Sequence, residues 1–154
     1  MRTVLGAILL LLALPVLAAG PIPGEVSCAK GVNIQRVQAL VKRTTTALRS
    51  DQDRVIREIN RGNGQWKDGN YYVFVGQGTR IIAHALFPAW VNRDFGTLPW
   101  INALQRMAME RGEGCVEYVV PNPAKGGQLE RNVGYAVNVD GAIWAGSGTF
   151  LILN

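Results

Sequence analysis

The hydrophobic period of this chain changes near Asn70, and that change limits its fold more than any other feature. Before it, Ile34, Val37, Leu40, Val41, Ala47 and Leu48 recur at helical spacing, giving an amphipathic helix from about Val32 to Leu48. After it, Tyr72 and Phe74 alternate with Tyr71, Val73 and Val75 at a period of two, as residues of a strand covered on both sides do. A chain that begins with long apolar stripes and continues with alternating runs must lay helices on a sheet.

The punctuation between the periodic segments refines this. Ser50 reads as an N-cap, with Asp51 and Asp53 in the first turn of a second helix that carries Val55, Ile56 and Ile59 and stops at Gly62. Gly76 and Gly78 permit the positive backbone angles of a tight hairpin, and Thr79 to Ala83 forms the return strand. A loop with Pro88 and Trp90 follows. Thr97 reads as the cap of a third helix with Pro99 in its first turn, carrying Trp100, Ile101, Leu104, Met107 and Ala108 and ending at Gly112. Three strands complete the chain: Cys115 to Val120, Leu129 to Val139 and Ala142 to Leu153, the last two joined by a two-residue Asp140-Gly141 turn. The expected fold is therefore α+β, a five-stranded antiparallel sheet with helices against one face. A ligand would sit in the hollow between its concave face and the short connecting helix.

The first residues, MRTVLGAILLLLALPVLAAG, have the form of a secretory signal: Arg2 at the positive end, an apolar core from Val4 to Leu17, and small residues at Ala18 and Ala19. The apolar run is about 14 residues, short of the roughly 20 that a membrane-spanning helix needs. The expected organisation is a signal peptide at 1–19, a Pro/Gly linker at 20–31 and one domain at 32–154, with the mature protein periplasmic or secreted.

Of the 16 basic residues one, Arg2, leaves with the leader, so a mild positive balance over 11 acidic residues remains. The basic residues are scattered, without a dense run interleaved with aromatics, and this argues against nucleic acid as a partner. It fits an anionic small ligand or an acidic partner surface. The two cysteines, Cys28 and Cys115, are too distant for a CxxC redox site and lack the histidines of a zinc site. They are either one disulfide or two separately buried thiols; an oxidising compartment points to the disulfide. No acid–base pair or nucleophile–base arrangement stands out, so an enzyme is not expected, nor is any metal or cofactor.

The runs DGNYYVFV…RIIAH, RGEGCVEYVVPNPAKGG and YAVNVDGAIWAGSGTFL, in that order, resemble the single Cache domain, the extracytoplasmic PAS-like ligand-binding module of bacterial receptors and of free-standing exported proteins. The resemblance spans about Leu40 to Leu153. It departs where the family often has a lysine three residues before the tyrosine matched by Tyr135; Asn132 stands there instead, with Arg131 one residue earlier. The resemblance implies a long N-terminal helix followed by a five-stranded antiparallel PAS-like sheet with a pocket on one face, and ligands such as organic acids and amino acids.

On that reading the chain is an exported sensing or binding domain for a small anionic or zwitterionic metabolite, without an output module of its own. The alternative is an interaction protein with a degenerate pocket that docks on a membrane receptor or sensor kinase. His84, the only histidine, falls at the family's strand-end position, as a pocket wall or as a hydrogen-bonded structural residue. Tyr72 and Phe74 are candidates for the pocket floor, with Tyr118 and Tyr135 as hydrogen-bonding partners of a ligand. Arg131 is the candidate for two-pronged carboxylate capture. Trp90 is a candidate lid, and Gly146 and Gly148 allow close approach of a ligand or of the N-terminal helix.

Overall fold

The computed structural model describes residues 19–122 and 125–151. The signal segment, apart from its last residue, and the end of the final expected strand lie outside them. Among the described residues no helix is long and apolar enough to cross a membrane.

The chain runs β1 (Glu25–Val26), α1 (Ile34–Ser50), α2 (Gln52–Asn60), β2 (Lys67–Asp68), β3 (Tyr71–Tyr72), β4 (Phe74–Gln77), β5 (Arg80–His84), β6 (Arg93–Asp94), α3 (Pro99–Arg111), β7 (Glu113–Asn122), β8 (Gln128–Asn138) and β9 (Ile143–Phe150). The main sheet is antiparallel, in the order β1-β7-β8-β9-β4-β5-β6. Its centre is the five-stranded sheet expected from the sequence. The two-residue strands β1 and β6 close its edges and are too short to show any period.

Helices cover both faces of the sheet, not one. Successive residues of the central strands are buried on opposite sides: Cys115 and Val116, Tyr135 and Ala136, Trp144 and Ala145. With apolar side chains on both sides, each face must be covered to remove them from water. Helices α1 and α2 pack through Val37, Leu40, Val41, Leu48, Val55 and Ile59 on Val75, Ala83, Val133 and Tyr135. Helix α3 packs through Ile101, Leu104, Met107 and Ala108 on Phe74, Ile81, Ala136 and Trp144. Cys28 and Cys115 form a disulfide, with Cα atoms 5.2 Å apart, that ties the N-terminal segment to β7 beside α1.

Several boundaries shift for identifiable reasons. Helix α1 extends through Ser50, so the cap of α2 is Asp51, whose side chain accepts from Arg54 N at 3.1 Å. Helix α3 starts after Leu98, and no side chain caps it; Thr97 does not. The β4–β5 turn is Gly78-Thr79, with Gly78 at φ +57°, whereas Gly76 lies inside β4 at a bulge. The turn between β8 and β9 takes four residues, because Asp140 Oδ1 accepts from Ala142 N (2.9 Å) and Ile143 N (3.0 Å) and holds a wider loop.

Candidate ligand-binding site

The registers decide which candidate residues meet. Tyr118 pairs with Asn132 across β7 and β8, and Phe74 pairs with Gly146 and His84. Alternation then puts Phe74, His84 and Tyr118 on the α3 face. Tyr72, on β3, joins them through its ring, 5.2 Å from the ring of His84.

The same registers set Arg131 and Tyr135 apart from the other candidates. They occupy alternate positions of β8 from Asn132 and so point to the α1 face, away from the other four. Arg131 is exposed there and engaged by Glu117. Tyr135 is buried beneath α1, and its hydroxyl donates to Glu113 at 2.5 Å, with Lys42 Nζ at 3.5 Å from the same carboxylate. Neither side chain can share a pocket with Tyr72, Phe74, His84 and Tyr118.

His84 ends β5, and its main chain is fixed by Asn60 of α2, which accepts from His84 N at 3.0 Å and donates to Ile82 O at 3.2 Å. Its imidazole is 2% exposed. Nδ1 accepts two backbone N–H groups, from Leu86 at 3.1 Å and Phe87 at 2.9 Å. An Nδ1 that accepts twice carries no proton, so the neutral ring carries it on Nε2. Burial depresses the pKa to about 4. Among the described residues nothing accepts from the Nε2–H. The ring is boxed by Tyr72, Phe74 (stacked, 5.9 Å), Phe87 (5.1 Å) and Trp90 (5.3 Å).

Tyr118 reaches across the sheet from β7. A Cβ at Gly134 would come within 2.7 Å of its Cε1, and one at Gly148 within 2.5 Å of its Oη. These glycines, with Gly146 under the ring of Phe74, let aromatic rings lie directly on the backbone. The close approach expected at Gly146 and Gly148 is therefore made by Phe74 and Tyr118, not by the N-terminal helix. The other side of the Tyr118 ring stacks on Trp100 at 4.9 Å. Burial raises the pKa of Tyr118 and of Tyr72, and the Tyr72 phenolate would raise that of Tyr118 further. Neither hydroxyl has a hydrogen-bond partner among the described residues. No lysine, arginine or carboxylate charge contributes to the shifts of Tyr72, His84 or Tyr118.

The candidate site is thus a packed cluster of aromatic rings that carries three neutral donors, Tyr72 Oη, Tyr118 Oη and His84 Nε2. Sequence reasoning missed Phe87, Phe95 and Trp100, which complete the wall: Trp90 packs on Phe87 at 5.6 Å, Phe95 at 4.9 Å and Trp100 at 6.4 Å. Their one sequence signal is the number of aromatics between Ala85 and Trp100, a stretch without periodicity. Trp90 is half-buried in this row of rings, in the 3₁₀ turn Pro88–Trp90.

Two grooves open nearby or elsewhere. One, of ≈ 290 Å³, lies between the N-terminal segment at Pro23-Gly24, the start of α3 and β7, and shares Trp100 and Tyr118 with the chamber wall. The other, of ≈ 490 Å³, runs between α1 and α2 and is lined by Arg43, Arg54 and Trp66. Its cations are already engaged: Arg43 donates to Gln65 O at 2.6 Å, and Arg54 pairs with Asp51 and Glu58. Among the described residues no group of three histidine, cysteine or acidic side chains could hold a metal ion.

Comparison with solved structures identifies the architecture. The chain superposes on a Cache chemosensory domain, described as a structural basis for carboxylic acid recognition, with a TM-score of 0.60 at 17% identity, covering 77% of this chain and 92% of that one. It also superposes on the periplasmic sensor domain of a chemotaxis protein, with a TM-score of 0.58 at 18% identity, covering 77% and 90%. No protein-family model and no curated protein sequence matches it. The chain has the Cache fold, and the sequence resemblance and the coordinates agree on this.

Proposed function

We propose that this domain is an extracytoplasmic sensor that binds a small monocarboxylic acid in the aromatic chamber on the α3 face of the sheet. The observation that carries the reading is the imidazole of His84: buried, neutral, with Nδ1 occupied by two backbone amides and its Nε2–H left without an acceptor. An ionised oxygen placed against that free N–H gains a charge-assisted hydrogen bond, worth about 1.5–3 kcal/mol. The hydroxyls of Tyr72 and Tyr118 supply two more donors, and hydrogen bonds to an ionised acceptor are the stronger kind. The charge of the ligand is met by dipoles, without an arginine. No acidic side chain acts on the three donors, so an ammonium group would find no counter-charge; this favours plain acids over amino acids. The likeness to a Cache domain that recognises carboxylic acids supports the same class.

Thermal-shift titration tests the reading. Saturation at 100 times the dissociation constant stabilises a fold by about 2.7 kcal/mol. Small monocarboxylates should raise the melting temperature where their amides and the matching amino acids do not. A panel of acids that leaves it unmoved refutes the reading and favours docking on a receptor.

A further inference from the structure

We infer that the groove between Pro23-Gly24, the first turn of α3 and β7 receives an apolar, aryl-sized tail of the acid held in the chamber, with Trp100 as the movable partition. The inference rests on the proposed carboxylate site and specifies the body of its ligand.

Continuity is the first argument. Tyr118 presents its hydroxyl above Gly148 in the chamber, and the same residue lines the groove. Trp100 stacks on that ring and belongs to both spaces. The ring cluster and the groove therefore share these two side chains. The second argument concerns which partner can move. Tyr118 lies on a central stretch of β7, seated on two glycines. Trp100 is in the first turn of α3, where Leu98 offers no side-chain cap and Pro99 has no N–H to donate. Asn102 ties the backbone of this turn to Gly96 O and Leu98 O, so the movement asked for is rotation of the Trp100 side chain alone, after which a ligand ring can replace the indole on Tyr118.

Size and polarity agree. A cavity of about 150 Å³ accepts a benzene ring, and this groove offers ≈ 290 Å³ between Pro23, Pro99, Ala103, Val116 and Val119. The one charged residue along it, Glu117, turns its carboxylate to Arg131 on the α1 face. A tail with its own charge would find no free partner there, whereas an aryl ring would bury its surface.

The test is calorimetric titration of the purified protein with acetate, propionate, phenylacetate and 3-phenylpropionate at constant ionic strength. Burial of a ring predicts about tenfold or tighter binding of the phenyl acids than of propionate. Ala103→Leu, which fills the groove, should erase that advantage and leave propionate binding unchanged. Should that variant fold poorly, Ala103→Val, a smaller filling of the same space, should reduce the advantage in the same sense. If propionate binds and the phenyl acids bind no tighter, or if their advantage survives both substitutions, the groove is not the tail site, while the carboxylate reading stands. If none of the four acids binds, the carboxylate reading itself falls, and the groove assignment with it.

Discussion

His84 Nδ1 accepts the backbone N–H of Phe87 at 2.9 Å, so the histidine that offers a donor to the chamber also holds the loop that roofs it. Both duties require the neutral ring. Protonation at Nδ1 would break the bonds to Leu86 and Phe87 and place a charge among four aromatic rings.

This sets a pH dependence. The pKa of His84 falls from 6.5 to about 4 on folding, because burial disfavours the cation. The unfolded state binds the proton more readily, so the stabilisation is present above pH 6.5 and is lost as pH falls toward 4. About 2.5 units correspond to roughly 3 kcal/mol. Asp68, Glu110 and Glu130 are held below the usual carboxylate range by Arg36, Arg106 and Lys125 respectively, so their losses fall mainly below this window. Urea unfolding between pH 8 and pH 4 should show the decline, and His84→Phe should flatten it while lowering stability at pH 8. An equal slope in both proteins would contradict the assignment.

The glycine floor yields a sharper prediction through a double-mutant cycle. In Gly148→Ala the new methyl meets only Tyr118 Oη closely, at 2.5 Å; Cζ lies at an ordinary 3.7 Å. The substitution should cost about 1–3 kcal/mol alone and much less in a Tyr118→Phe background. Gly134→Ala instead meets ring carbon Cε1 of Tyr118 at 2.7 Å and Leu104 at 3.0 Å, so removal of the hydroxyl should not rescue it. Chemical denaturation of the six proteins reads the cycle, and equal rescue of both alanines would show that the ring does not lie across these strands as described.

How far the sequence discloses this fold depends on the kind of interaction. Helices α1 to α3 and the five long strands follow from period and punctuation, which are local. The caps moved because Ser50 and Asp51 compete for one position, and the hydrogen bond to Arg54 decides between them. The partition of site residues was not legible for a different reason. Parity along one strand is visible in sequence, but whether Tyr118 shares a face with Tyr135 depends on the register between β7 and β8, which pairs Tyr118 with Asn132 and Cys115 with Tyr135. The row Phe87, Trp90, Phe95 and Trp100 lies on turns and a helix start, where no period exists to reveal a common side.

The disulfide should act chiefly on stability. Cys28 and Cys115 are 87 residues apart, and closing a loop of that length stabilises by about 4 kcal/mol in the chain-entropy view. The Cys28→Ser/Cys115→Ser variant should unfold at correspondingly lower denaturant. Intact mass of exported protein after alkylation, with and without reductant, should show both thiols protected until reduced; two alkylated cysteines without reductant would contradict the pairing.

The two faces of the sheet give the prediction that separates binding from structure. Tyr118→Phe and Tyr135→Phe remove the same atom from neighbouring strands. On the α3 face the Tyr118 hydroxyl has no partner among the described residues, so its loss should cost little stability and should weaken carboxylate binding by about 1.5–3 kcal/mol, the worth of a hydrogen bond to a charged acceptor. On the α1 face the Tyr135 hydroxyl donates to Glu113, a bond that also holds that carboxyl below its usual range. Its loss should lower stability by about 1 kcal/mol or more and leave affinity as it was. Arg131→Ala belongs with the second group: Arg131 is exposed and paired with Glu117, so a guanidinium well suited to carboxylates in the abstract has no route to the chamber. Calorimetry and denaturation on the three variants measure both quantities. If affinity falls in Arg131→Ala or Tyr135→Phe and holds in Tyr118→Phe, the ligand lies on the helix α1 side, and the chamber around His84 is only a core.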